Sequence, residues 1–375
     1  MNDKERFMRC LRFEAADHVP NMEICLWAQT TERWRNEGMP ADVPTDFMHG
    51  CDYFGLAGYD ALHLNDTSPV PPLPERVLSE DEETVTFSDS FGRVRRALKT
   101  GTVGGTRMSM DTYLEFPVRD RATWREYRRH YLGDPSERYP ADYGAAKARL
   151  AVSQKPVSLL EPLGGTPGYY SLMRDWMGTE GLSYLFYDDP ALIQECAEFI
   201  TDYVMRLLER ALRDVRFDFH YIHEDMAGKG GPLMGPELFR RFFLPEYKKL
   251  IGFLRSRGVP LILVDTDGDH RPLIPAFLEA GVDGFGPIER AAGMDPVDLR
   301  RQYGKSVVMI GGVDKRAVAR GPAAIDRELD EAVRPIIEQG GFIPCIDHAI
   351  PPDVSLENFR YYLGKKRELL GMKQE

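Results

Sequence analysis

Short apolar runs alternate with longer amphipathic segments from about residue 150 onward. The apolar runs predict six strands: KPVSLLE, FDFHYIHED, VPLILVD, VDGFGP, SVVMIGGVD and GFIPCIDH. Between them lie four segments with helical periodicity, each ending near a glycine: PELFRRFFLPEYKKLIGFLRSRG, DHRPLIPAFLEAG, DPVDLRRQYG and GPAAIDRELDEAVRPIIEQGG. This alternation is typical of parallel βα units.

The N-terminal part predicts two more strands, HVPNMEICLW and GYDALHLND, the first of them after an opening helix DKERFMRCLRFE. Eight parallel strands with intervening helices favour an α/β fold of the (β/α)8 TIM-barrel type over an open doubly wound sheet. Residues 80–105 alternate with period two around a DSFG turn, which predicts an N-terminal β-hairpin insertion over one end of the barrel. We therefore expect one barrel domain over residues 1–375 with an insertion at about 80–150.

Composition narrows the class of partner. The chain has 48 Lys and Arg against 59 Asp and Glu, a formal charge of −11, which argues against a nucleic-acid surface. No stretch approaches the ~20 consecutive apolar residues of a membrane span, and the N-terminus MNDKERFMRCLRFEAAD is charged throughout. Five cysteines without a CxxC pair indicate neither a disulfide framework nor a cysteine-only zinc site. We expect a cytoplasmic protein, without membrane or nucleic-acid partners, that acts on a small molecule.

Polar side chains follow the predicted strands, at the end where TIM barrels carry their active sites. Asp265 and Asp267 in VDTDGDH share one face of their strand because successive side chains alternate, whereas Thr266 faces away. Two carboxylates on one face repel each other unless they share a cation or a proton. Together with His348 they predict a site for a divalent metal with oxygen and nitrogen ligands. Of the run His223, Glu224 and Asp225, we expect Glu224 to face inward.

Other polar residues near these strand ends fit structural roles. Asp269 and Asp295 each precede a predicted helix and are interpreted as N-caps, His270 is expected at the surface, and Cys345 is expected in the core. The glycine-rich pieces LGGTPG (163–168), GKGG (228–231) and IGGVDK (310–315) could let a ligand approach backbone N–H groups. None matches a nucleotide-binding pattern.

In their order along the chain, several blocks resemble the uroporphyrinogen decarboxylase (URO-D) superfamily, whose members are (β/α)8 barrels. The blocks are ERFMRCLRFEAADHVP, GGTPGYYSLMRDWMGTEGLSYLFYDDP, EDMAGKGGPLMGPELFRRFFLPEYKKL, IGGVDKRAVARG and DHAIPPDVSLENFRYYL. The superfamily contains tetrapyrrole decarboxylases and zinc-dependent methyltransferases that move methyl groups between corrinoid proteins and thiols or other acceptors. The resemblance therefore implies an enzyme but leaves two reactions open.

The decarboxylase branch carries an arginine-rich motif after its first strand, where this sequence reads MEICLWAQTTERW. Trp27 and Gln29 stand where those arginines are expected, and only Arg33 lies beyond. A polyanionic tetrapyrrole would then meet an acidic pocket, which costs several kcal/mol in low dielectric. This departure argues against a true uroporphyrinogen decarboxylase.

The methyltransferase branch holds zinc with His-x-Cys-Gly after the fifth strand and Gly-Cys-Gly near the last. Here Asp265-Thr266-Asp267-Gly268 and Asp347-His348-Ala349 align with those motifs. All three ligand positions differ, but each holds a residue that can itself bind a metal. The resemblance therefore implies a divalent metal, zinc by family likeness, at Asp265, Asp267 and His348. His348 also falls where the decarboxylases carry a histidine. Tyr169 and Tyr170 fall in the block where decarboxylases carry an active-site tyrosine.

The resulting expectation is a metal-assisted methyltransferase that moves a methyl group between a small O- or N-methylated compound and a corrinoid (cobalamin) protein. The residues expected to carry the reaction are Asp265, Asp267, His348, Glu224 and Tyr169. The alternatives are decarboxylation of a small or tetrapyrrole carboxylic acid and a non-catalytic barrel that binds a ligand. A corrinoid protein is the expected protein partner, and a homodimer fits the same picture.

Overall fold

The structure is a computed structural model that describes residues 1–103, 106–107, 109–160 and 166–372. The chain begins with helices α1 (Asp3–Leu11) and α2 (Ala28–Asn36), followed by the short strand β1 (Asp60–Ala61). The Asn2 side chain caps α1 by accepting a hydrogen bond from the backbone N–H of Glu5 at 2.8 Å. In the part of the chain that is described, no helix has both the length and the apolar character needed to cross a bilayer.

The insertion is larger than the hairpin that the sequence predicts. It contains β2 (Arg76–Glu80), β3 (Thr84–Ser88), β4 (Val94–Leu98), β5 (Thr102–Val103), β6 (Thr106–Arg107) and β7 (Thr112–Glu115). The strands around the DSFG turn, β3 and β4, pair antiparallel as the alternation indicates, and β2 and β7 extend them into a four-stranded sheet in the order β2-β3-β4-β7. Residues 117–150 add helices α3 (Arg121–Tyr127) and α4 (Tyr143–Ala151).

The remainder of the chain alternates strands and helices. Its elements are β8 (Val157–Leu159), β9 (Thr166–Pro167), α5 (Tyr169–Met177), α6 (Thr179–Asp188), α7 (Pro190–Asp214), β10 (Phe219–His223), β11 (Ala227–Gly228), β12 (Gly231–Pro232), α8 (Pro236–Leu238), α9 (Leu244–Ser256), β13 (Ile262–Asp265), α10 (Ile274–Ala280), β14 (Gly284–Ile288), α11 (Pro296–Tyr303), β15 (Val308–Val313), α12 (Lys315–Ala319), α13 (Pro322–Glu328), β16 (Phe342–Ile346) and α14 (Leu356–Leu370). The predicted strands and helices of this region all appear, with shifted ends.

One parallel sheet organises the molecule, in the order β1-β8-β10-β13-β14-β15-β16, with β9 paired to β10. The sheet curls, and both of its edges approach residues 21–26. The N–H of Ala57, before β1, donates to the carbonyl of Asn21, and the N–H of Ile350, after β16, donates to the carbonyl of Cys25. This curled parallel α/β sheet matches a TIM-barrel-like fold. The predicted strand HVPNMEICLW forms only bridges, at Cys25 and Leu26.

Strand residues alternate between two apolar layers. Phe219, Tyr221 and Leu263 face the inside of the curl, where Phe7 of α1 and Tyr59 join them. Ile222, Ile262 and Val264 belong to the outer layer between the sheet and the helices. This alternation places His223 and Asp265 on the inner side, next above Tyr221 and Leu263.

Gly284 provides a test of the packing between neighbouring strands. It pairs in register with Val308, and a Cβ at Gly284 would lie 2.1 Å from the Val308 carbonyl oxygen. We expect Gly284→Ala to lower the free energy of unfolding by about 1–3 kcal/mol or more, because the backbone must move apart. Gly252→Ala in α9 is the control, since no atom lies within 4 Å of its added Cβ; it should stabilise by about 0.5–1 kcal/mol. Equal urea midpoints for the two variants would contradict this account.

Candidate functional site

His223 and Asp265 form a hydrogen-bonded pair at the ends of two neighbouring strands. The residues are partners in the register of β10 and β13, and Nδ1 of His223 lies 2.9 Å from Oδ2 of Asp265. Burial raises the pKa of Asp265, whose residue is only 4% exposed. Burial opposes protonation of His223, but the hydrogen bond and charge of Asp265 outweigh it and raise the pKa of His223 to about 9. The pair therefore carries a proton at neutral pH and leaves Nε2 for a substrate.

Asp267 and His348 form a second, looser pair at the same edge of the sheet. Nε2 of His348 lies 3.5 Å from Oδ2 of Asp267, and both side chains are about one third exposed or more (34% and 42%). The interaction with Asp267 raises the pKa of His348; burial raises the pKa of Asp267, but His348 outweighs it and the net shift is downward. The Trp27 ring stacks on the His348 ring with centroids 6.4 Å apart. Asp267 and His348 thus face the open mouth of the curl.

The predicted metal ligands do not converge on one point. Each carboxylate, Asp265 and Asp267, is turned toward its own imidazole. Across the residues that the structure describes, no three His, Cys, Asp or Glu side chains form a group that could hold a metal ion. The side chains as arranged therefore fit two acid–base pairs and do not fit a three-ligand metal site, and the metal stays a prediction.

A third polar group lies beside these pairs. The Asp347 carboxylate is fully buried and accepts hydrogen bonds from the backbone N–H groups of Arg290 at 2.8 Å and Lys315 at 3.2 Å. Burial raises the pKa of Asp347 to about 6. Nζ of Lys315 lies 3.3 Å from Glu289, whose other oxygen accepts from the N–H of Gly268 at 3.0 Å. These contacts hold the loops after β13, β14, β15 and β16 together around the mouth.

Glu224 is not an inward-facing residue, contrary to the prediction. Its carboxylate is fully buried behind the sheet, where it accepts hydrogen bonds from the N–H groups of Tyr170 (3.2 Å) and Ser171 (3.1 Å) and from the Tyr247 hydroxyl. Glu224 therefore anchors the first turn of α5, where an anion is favoured. His223, the neighbour that the sequence prediction did not choose, faces the mouth instead.

Tyr169 also lies away from the mouth. It is buried between helices, stacked against Phe243, and its hydroxyl lies 2.8 Å from Oγ1 of Thr201, which donates to Glu246. Burial raises its pKa well above the ordinary value. Tyr169 therefore stabilises the contact between α5, α7 and α9, and neither it nor Glu224 reaches the His223–Asp265 pair.

The structure confirms some predictions for the other polar residues near the strand ends and contradicts others. Asp295 caps α11 as predicted, by accepting from the N–H groups of Val297 and Asp298. Asp269 does not cap α10, which begins at Ile274; it pairs with Arg271 at 2.6 Å. The surface prediction for His270 was wrong: the ring is fully buried 5.0 Å from Phe285, and burial lowers its pKa to about 4. Cys345 is buried, as expected. Of the glycine-rich pieces, 163–165 lie outside the described residues.

The insertion and Trp27 together line a cavity. The cavity volume is about 570 Å³, within the usual range for small-molecule sites, and its lining combines Trp27 with residues of the insertion such as Phe87, Arg93 and Tyr113. Arg93 ties the insertion to α5 through an ion pair with Asp175 at 2.7 Å. Trp27 therefore joins this cavity to His348 and the paired residues below.

Comparison with known proteins identifies the family. The model of a family described as "Uroporphyrinogen decarboxylase (URO-D)" matches residues 157–368, more than half of the chain. The chain belongs to the URO-D family. The matched segment includes both His–Asp pairs, so the site of this URO-D family member lies within the shared domain. The resemblance predicted from the strand-end motifs is thereby confirmed.

Individual relatives are more distant. Two uroporphyrinogen decarboxylases, from two strains of Thermus thermophilus, are each 27% identical over 187 residues, 49% of this chain and 51% of the relative. The chain therefore spans about half the length of the curated relatives it matches. A solved methyltransferase structure from Methanosarcina mazei aligns over 98% of this chain and 99% of its own, with a TM-score of 0.60 and 16% identity. That likeness shows the fold.

Asp267 should control the protonation of His348. We expect Asp267→Asn to lower the pKa of His348, because the variant removes the charge and acceptor that favour the imidazolium. Asp269→Asn is the matched control two residues away, since the Asp269 carboxylate is held by Arg271. An NMR titration of the His348 ring measures both variants. The same His348 pKa in Asp267→Asn and wild type would refute the pairing.

Proposed function

We propose that this URO-D family member is a methyltransferase that takes a methyl group from a small O- or N-methylated compound and passes it to a corrinoid carried by a partner protein. The observation that carries the proposal is the His223–Asp265 pair, a protonated imidazole held by a buried carboxylate at the mouth of the curled sheet. Breaking a carbon–oxygen or carbon–nitrogen bond leaves charge on the heteroatom, and such an acid neutralises it.

In the proposed step, every bond that breaks is matched by a bond that forms. The bond between the methyl carbon and the oxygen or nitrogen breaks, and its electron pair stays on the heteroatom. That heteroatom takes the proton from Nε2 of His223, while Asp265 keeps the ring oriented through Nδ1. The methyl carbon receives a new electron pair from the acceptor, the reduced corrinoid of the partner protein. His223 is then reprotonated from solvent through the open mouth.

Two further features support a small, uncharged or singly charged substrate. Trp27 occupies the position where a tetrapyrrole decarboxylase would place arginine, and it presents an apolar ring beside His348. Lys315, a cation at the mouth, is engaged by Glu289.

A divalent metal at Asp265, Asp267 and His348 is a separate proposal, which rests on the motif resemblance. Binding would require both His–Asp pairs to open, because each carboxylate is now turned to an imidazole. Zinc titration by calorimetry tests this proposal. If zinc binds to wild type and not to Asp265→Ala, the ligand set is supported; if both bind equally or neither does, it is wrong.

Decarboxylation of a small carboxylic acid is the second candidate, favoured by the curated relatives, which are named uroporphyrinogen decarboxylases. In that reaction the carbon–carbon bond to the carboxylate breaks, carbon dioxide leaves, and the electron pair stays on carbon. The carbanion then takes the proton of His223. The same acid thus serves both reactions, and only the substrate and the acceptor differ.

One pair of assays separates the two candidates. Purified protein is incubated with a panel of methyl ethers and methylamines and cob(I)alamin, whose characteristic absorbance decreases on methylation. It is incubated separately with ¹³C-carboxyl-labelled small acids, and carbon dioxide release is measured. Loss of the cob(I)alamin absorbance that depends on a methyl donor and on His223 supports the proposal. Carbon dioxide release without any corrinoid overturns it in favour of decarboxylation.

A further inference from the structure

A second cavity lies inside the curled sheet, directly below the His223–Asp265 pair. Its volume is about 50 Å³, and Tyr221, Gly286 and Ile310 contribute to its lining. Gly286 pairs in register with Asp265, and Asp265 with His223, so these three residues stand side by side on neighbouring strands. Tyr221 is the inward-facing residue one layer below His223. The cavity therefore lies next to the acid–base pair, on the inner side of the sheet.

Gly286 borders the cavity and pairs in register with Asp265, and the space beside it is tight. A Cβ at this position would lie 3.1 Å from the Tyr221 hydroxyl and 3.2 Å from Cβ of Ile310. Both separations are tighter than ordinary van der Waals contact, so any side chain at position 286 would narrow the space. A group that entered the cavity from beside His223 would pass Gly286.

The lining selects for an apolar group. Most of it consists of hydrocarbon, thioether and ring surface, from Phe7, Met22, Met48, Tyr59, Phe219 and Ile310. Glu23 also borders the cavity, but both of its carboxylate oxygens are engaged, by Lys366 and Tyr362 on one side and by the N–H of Ile346 on the other. A charged or hydroxylated group placed there would lose water without gaining these partners.

We propose that this cavity is a subsite for a short, unbranched alkyl group of the substrate. The inference rests on the proposed function: the methyl group to be transferred faces the mouth and the acceptor, so the part that remains on the heteroatom points inward. One water-sized group needs roughly 10–15 Å³ of such volume, and the cavity has about 50 Å³. The substrate class is therefore a methyl ether or methylamine whose other substituent has about three or four carbons.

Binding of simple alcohols tests the subsite without any turnover. The full chain is labelled with ¹³C-methyl methionine, because Met22 and Met48 line the cavity, whereas Met294 lies buried in the outer layer and serves as the internal control. The probes are n-alkanols from methanol to hexanol. We expect saturable shifts of the Met22 and Met48 signals, and an affinity that rises about fourfold with each added carbon until butanol, then falls for hexanol.

Two variants make the result specific. Gly286→Ala narrows the route and Ile310→Phe fills the cavity, so each should weaken butanol binding at least tenfold, with circular dichroism to show that the variant is folded. Gly252→Ala is the matched control and should bind as wild type does. The proposal is overturned if no saturable shift occurs at Met22 and Met48, if affinity keeps rising through hexanol, or if both folded variants bind butanol normally.

Failure of the subsite can be distinguished from failure of the proposed reaction. His223→Gln removes the acid above the cavity but leaves its lining intact, so butanol binding should persist in that variant. If methyl transfer is not found while the alcohols bind as described, the proposed reaction fails and the subsite stands. If methyl transfer depends on His223 while the alcohols do not bind, the subsite fails alone.

Discussion

His223→Gln is expected to lower kcat by about 10²–10⁴-fold while KM changes little, because glutamine can hydrogen bond to a heteroatom but cannot give it a proton. The loss should be the same for every accepted substrate that needs protonation of its leaving atom. Steady-state kinetics of wild type and variant measure it. The control is Asp269→Asn, which alters a carboxylate of the neighbouring loop that is paired with Arg271, and it should leave kcat unchanged.

The role of His223 as an acid also predicts how kcat/KM changes with pH. The active form carries the proton, and Asp265 raises the pKa of His223 to about 9, so kcat/KM should be full below that pH and fall as pH rises through about 9. Asp265→Asn removes the charge that favours the imidazolium, so the fall should move toward the ordinary histidine value of roughly 6.5. A profile that falls at the same pH in wild type and Asp265→Asn would show that His223 is not the acid.

Lys366→Met is expected to lower the free energy of unfolding by about 3–5 kcal/mol, since it leaves the Glu23 carboxylate buried without its cation. Both side chains are 0% exposed, and Nζ of Lys366 lies 2.5 Å from Oε1 of Glu23 and 2.8 Å from the carbonyl of Met22. Urea unfolding followed by circular dichroism measures the change.

Lys365→Met is the matched control for this stability prediction. Lys365 is the preceding residue of α14, its side chain is 42% exposed, and its ion pair with Glu368 spans 3.8 Å. Its replacement should change stability by less than about 1 kcal/mol. The double variant Glu23→Gln with Lys366→Met should recover part of the loss, because no uncompensated charge remains. Equal stabilities of the two lysine variants would show that the buried pair contributes nothing.

Most of the fold could be predicted because buried parallel strands leave a strong pattern. Strands β13, β15 and β16 are near-continuous apolar runs, and glycines mark the ends of the helices between them. The first predicted strand was less successful, since residues 21–26 make hydrogen bonds to both sheet edges without forming a regular strand. The insertion showed its hairpin through the DSFG turn, but pairing of β4 with β7 depends on contacts between segments that are farther apart in the chain.

The orientation of the site residues was harder to predict, again because the strands are buried. Because FHYIH is buried on both faces, its composition does not reveal whether His223 or Glu224 faces inward. The alternation along the strand puts His223 on the same face as Phe219 and Tyr221. It shows that His223 faces inward only once one of these residues is known to face inward. The sequence did supply Asp265, Asp267 and His348 at one edge of the sheet. It could not show that each carboxylate turns to its own imidazole, since that depends on the distance between strands.

The bonds that join the two sheet edges also set an order of events during biosynthesis. Residues 21–26 are synthesised more than three hundred residues before their partners Ile346, Ile350 and Lys366. Until then residues 21–26 and the growing edge of the sheet lack these partners, and an unpaired sheet edge invites association with other chains. Nascent chains halted before residue 340 should therefore bind chaperones more strongly than chains that extend through α14.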